Sequence, residues 1–157
     1  MSCDVAVSAA LFLATLHPGQ APAVRLEPAV ATVAPKGANP LTREPLFADI
    51  IRRAGGLEKD ATAYRKQAGA LPKFDVFKAK VAELSELDMK GHLTLAARGT
   101  DGDLKCILKG ISQDLPRKLD EIAAATDTKA RDLALSEMAY LLNDNVGVIA
   151  APPEPPV

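Results

Sequence analysis

The chain has 157 residues, enough for one domain, and 48% of them are hydrophobic, enough for a core. Aromatic residues are scarce (four Phe, two Tyr, no Trp), and 19 basic residues are balanced by 20 acidic ones for a net charge of −1. That composition lacks the basic excess and the stacking platforms of a nucleic-acid binder, and no apolar run reaches the ~20 residues of a membrane-spanning helix.

Residues 1–23 read as an export signal. Val5 to Leu16 is apolar except for Ser8 and Thr15, and Ala21-Pro22-Ala23 has the small-x-small form of a cleavage site. The stretch before it carries Asp4 and no Lys or Arg, which departs from a signal's basic start. The competing reading is an N-terminal apolar helix retained as part of a cytosolic protein. Cys3 has no lipobox before it. Residues 24–43 hold Pro28, Pro35 and Pro40 among Ala, Val and Gly, which predicts an extended linker. Residues 150–157 (AAPPEPPV) predict a Pro-rich disordered tail.

Residues 44–149 predict four helices. The first runs from Pro45 to about Gln67, its apolar positions keeping helical phase straight across Gly55-Gly56, with Leu71-Pro72 as the stop. The second is expected to start at an Asp75 cap and end at Gly99, with Phe77, Val81, Leu84 and Leu95 as its stripe. The third starts near Asp101 or Asp103 and keeps its apolar phase through Pro116, which predicts a kink there. The fourth starts at Thr126 or Asp127 and is expected to stop at Asn143-Asp144-Asn145, before Gly147. Short loops make neighbouring helices antiparallel, so the expected fold is all-α, an up-and-down four-helix bundle.

Enzyme signatures are missing. The sequence has no Gly-rich phosphate loop, no His-Glu-x-x-His and no Glu-x-x-His. Its two histidines are His17, inside the signal-like segment, and His92. No catalytic residue and no cofactor are expected.

Two polar features stand out on the helices. At about 100° per residue, Asp88 falls about 20° and His92 about 60° from Phe77, on or beside the apolar stripe of the second helix. A charge there is costly unless paired. The functional reading is a metal or small-ligand site using Asp88 and His92, with Met89 and Cys106 as further ligands; the simpler reading is an Asp–His helical pair at the stripe's edge. A haem held between Met and His from opposite sides is not available to Met89 and His92, which share a helix; Met138 on the fourth helix is the methionine that could oppose His92. Cys106 falls opposite the apolar stripe of the third helix, with Gly110 one turn along. An outward cysteine of that kind predicts an intermolecular disulfide or contact surface, with Cys3 as an alternative partner. Taken together, the sequence predicts a small exported, periplasmic or secreted bundle that binds a protein partner or itself.

Overall fold

The structure, a computed structural model, describes residues 39–67, 69–99 and 102–151. The signal-like segment, most of the linker and the Pro-rich tail lie outside the described residues.

All the regular structure among the described residues is helical. It comprises α1 (Pro45–Arg65), α2 (Phe74–Arg98), α3 (Gly102–Ala124) and α4 (Thr128–Ala150), preceded by one 3-10 turn at Pro40–Arg43. The chain is an antiparallel up-and-down four-helix bundle. α1 packs most extensively on α4 and α2 on α3, while α1–α2 and α3–α4 complete the ring. Among the described residues the backbones of the diagonal pairs, α1–α3 and α2–α4, do not come within 8 Å Cα to Cα. Contact across the centre is made by side chains.

Local signals set most of the helix ends. Pro45 occupies the first turn of α1, where its missing N–H costs nothing, and the helix runs unbroken through Gly55 and Gly56 to Arg65. Gly99 closes α2 in the left-handed conformation, φ 67°, a geometry glycine adopts without strain. The Asp127 carboxylate caps α4 by accepting from the Ala130 N–H at 2.8 Å.

Three expected boundaries move. α2 begins at Phe74, and Asp75 lies in its first turn paired with Lys78 rather than capping it. The earlier start lets the Phe74 ring join a cluster with Tyr64 and Phe77, whose ring centroids lie 5.4–6.3 Å apart. α4 does not stop at Asn143–Asn145 but continues to Ala150, because Ile149 is fully buried and holds the last turn on the core. At the front, Leu41 of the 3-10 turn is buried, and the Asn39 Nδ2 donates to the Ile149 carbonyl at 2.7 Å. The folded unit therefore takes in the last residues of the stretch that reads as linker.

Pro116 lies inside α3, which is continuous from Gly102 to Ala124. Proline has no N–H to give the carbonyl four residues back, here Ser112. A hydroxyl from the neighbouring helix supplies the missing donor: Ser85 Oγ on α2 donates to the Ser112 carbonyl at 2.7 Å. The Ser112 hydroxyl itself donates back to the Lys109 carbonyl at 2.7 Å.

Candidate functional site

The interior is lined by Phe47, Ile50, Ala54 and Leu57 from α1, Phe77, Val81, Leu84 and Leu95 from α2, Leu104, Leu108 and Leu115 from α3, and Leu135, Met138, Leu142 and Ile149 from α4. Among the described residues, two polar side chains sit in it with no exposure at all, Asp88 on α2 and Asn145 on α4. They meet across the bundle's diagonal, where Asn145 Nδ2 donates to Asp88 Oδ2 at 2.8 Å. The other oxygen of each group, Asp88 Oδ1 and Asn145 Oδ1, is buried with no hydrogen-bond partner. Burial pushes the Asp88 carboxyl up from 3.8 to about 8, with the Asn145 hydrogen bond acting in the opposite direction.

Gly91, nearly one turn beyond Asp88, is what lets the helices close at this level. A Cβ on it would lie 3.1 Å from Leu108 Cδ1 and 3.4 Å from Ile50 Cδ1 and Phe47 Cε1.

The sequence placed Asp88 on the apolar stripe, and the structure agrees. Its partner, however, is Asn145 and not His92. His92 is partly buried, and its Nδ1 lies 2.6 Å from the Lys105 carbonyl on α3, so the imidazole ties α2 to α3. Met89 is partly buried beside Asp88 in the chain, and Met138 is fully buried on α4. Cys106 is partly buried on α3 and is not a free thiol; Cys3 lies outside the described residues. Gly110 has open space where a Cβ would stand. Among the described residues, no group of three or more His, Cys, Asp or Glu side chains is placed to hold a metal ion.

Asn145 is the residue that sequence reasoning missed. It stands three residues after Leu142 and four before Ile149, which is the spacing of a core position. Reading Asn143-Asp144-Asn145 as a helix stop concealed that signal.

Outside, charge is distributed in local pairs. Arg53 reaches Asp49 and Glu83, Arg98 holds Glu44 in a two-pronged pair, and Lys118 joins Glu121 to Glu137. Among the described residues, four large apolar side chains remain exposed, namely Val76, Leu93, Leu133 and Tyr140. Leu133 and Tyr140 lie two turns apart on α4, 60% and 73% exposed. Tyr140 borders a shallow groove of about 420 Å³ between α3 and α4, lined also by Asp114, Lys118, Ser136, Glu137 and Leu141. Among the described residues no helix is long and apolar enough to cross a membrane.

No family model matches this chain, and neither does any curated protein or solved structure.

Proposed function

We propose that this chain is a small exported helical-bundle protein that acts by binding a protein partner and not by catalysis. The observation that carries the reading is the outer face of α4. Leu133 and Tyr140 project there two turns apart, while the other large apolar side chains of that helix are buried in the core or packed against it. An exposed Tyr combines a broad apolar ring with a hydroxyl, the kind of side chain that anchors protein interfaces. The apolar run at Val5–Leu16 and the Ala21-Pro22-Ala23 triplet support export.

The test pairs chemical cross-linking with intact mass, both on protein recovered from its native host. The wild-type chain and a Leu133→Ser/Tyr140→Ser variant are compared. A chain shortened by the signal-like segment, with a cross-linked protein partner that the double variant loses, is the expected result. An unshortened chain would overturn export, and the same cross-linked species in both proteins would overturn the α4 face.

A further inference from the structure

We infer that Asp88 is held as a neutral carboxylic acid whose Oδ1–H donates to Asn145 Oδ1, closing a two-hydrogen-bond ring that latches α2 to α4 across the bundle. A carboxylic acid and a primary amide pair through two such bonds, one in each direction. One of them, Asn145 Nδ2 to Asp88 Oδ2, is present at 2.8 Å. The atoms left without partners, Asp88 Oδ1 and Asn145 Oδ1, are the two that the second bond joins. Both are acceptors while Asp88 is ionised, so each then stays unsatisfied in an apolar core, which is costly. A single proton on Oδ1, taken from water, satisfies both at once. Backbone groups cannot do the same, because in this stretch they are engaged within their helices.

Among the described residues, the influences that set this carboxyl are burial and the Asn145 amide, with no charged partner among them. The residues that α1 and α3 bury at the bundle's centre, among them Phe47, Ile50, Leu108 and Ile111, do not ionise, and neither do Met138, Leu142 and Ile149 of α4. The ionisable groups around the pair all lie nearer the surface: Asp49 and Arg53 of α1, bonded to each other; Glu86, Lys90 and His92 of α2; Lys105 and Lys109 of α3; and Glu137 and Asp144 of α4. Asp88 is thus a buried site for one proton, and the latch is made as pH falls and broken as it rises.

The direction of the linkage is fixed. An unfolded Asp releases its proton near 3.8, while the folded one keeps it to about 8. Between those values the folded state holds more protons than the unfolded one, so its stability is full below the lower value and lost progressively up to the higher. Across the middle of that window each pH unit lowers the folded-to-unfolded ratio by up to about tenfold.

Two measurements on the full chain test this. In the wild type, the Asp88 side-chain carboxyl ¹³C resonance is followed through the window; it is expected at the protonated position well above pH 3.8. In parallel, urea unfolding is compared between wild type and Asp88→Asn, whose amide supplies both bonds without ionising. The wild type is expected to lose stability with rising pH relative to the variant. A carboxylate resonance throughout the window, as for an ionised Asp88 bridged to Asn145 by water, would overturn the inference. So would equal pH slopes in the two proteins. If Asp88→Asn fails to fold, the wild-type resonance decides alone.

Discussion

Two regions of the core satisfy their polar atoms in opposite ways. At the end where α1 meets α2, Tyr64, Phe74 and Phe77 form an aromatic cluster, and the one polar atom in it, the Tyr64 hydroxyl, donates to the Pro72 carbonyl at 2.8 Å. Pro72 lies in the connecting loop, where backbone carbonyls are not used by a helical ladder. Further along α2, Asp88 and Asn145 lie within helices whose backbone groups are already bonded to each other. They answer each other directly through one bond, and the remaining oxygen of each is satisfied only when Asp88 carries its proton. A polar group is therefore cheap where a core borders a loop and demanding where it is enclosed by helices. The Ser85–Ser112 contact stands between these cases. There a helix carbonyl is released by Pro116 and recovered by one hydroxyl.

The sharpest way to break the comparison is to remove the donor from the enclosed pair. Asn145→Asp places two carboxyl groups against each other with no base beside them. Two such groups cannot both ionise, and leaving uncompensated charge in a core costs about 3–5 kcal/mol. Urea unfolding near neutral pH should show a loss of that order, and the loss should shrink as pH falls and both acids take up protons. A cost below about 1 kcal/mol near neutrality would mean that water already reaches the pair.

A smaller effect is expected at the intermediate case. Ser85→Ala leaves the buried Ser112 carbonyl without its donor, at a cost of about 1–3 kcal/mol. The proline is the reason that donor is needed, so the cost should fall when an N–H is restored by Pro116→Ala. A double-mutant cycle measures this coupling by unfolding of the four proteins. If Ser85→Ala costs the same with and without Pro116, the hydroxyl does not compensate for the proline.

Much of the fold could be read from the sequence because it rests on periodicity and on short-range signals. The apolar phase of α1, α2 and α3 and the glycine after α2 are local and stand where they were expected, and Asp127, one of two expected starts, caps α4. Asp88 was legible for the same reason, as a carboxylate in phase with Phe77, Val81 and Leu84. Its partner was not. Asn145 belongs to another helix 57 residues away, inside a run of residues that resembles a terminator, and local rules favour ending a helix there. Burial of Ile149 overrides that preference. His92 illustrates a second limit. Its neighbour at i,i+4 is an acid, yet its ring bonds a backbone carbonyl of α3, and no pattern of side chains reveals a contact with main chain. The Ser85 contact with Ser112 was hidden in the same way.

The smallest expected effect lies at the loop end, and it tests the comparison from the other side. Tyr64→Phe keeps the ring, and with it the edge-to-face contacts with Phe74 and Phe77, but removes the hydroxyl that meets the Pro72 carbonyl. In a loop, that carbonyl can turn toward water once its donor is lost. The cost should therefore be that of one ordinary hydrogen bond, about 0.5–1.5 kcal/mol, and not of a buried orphan. Burial and nearby Asp60 both raise the Tyr64 phenol, so it stays protonated through the range in which Asp88 titrates, and the loss should be independent of pH there. Thermal unfolding of the variant at two pH values inside that range checks both points. A loss as large as that of Asn145→Asp would show that proximity to a loop does not spare a polar atom in this core. A loss that changed with pH would mean that the two regions are coupled, so that breaking the latch on α2 is felt at the aromatic end of the same helix.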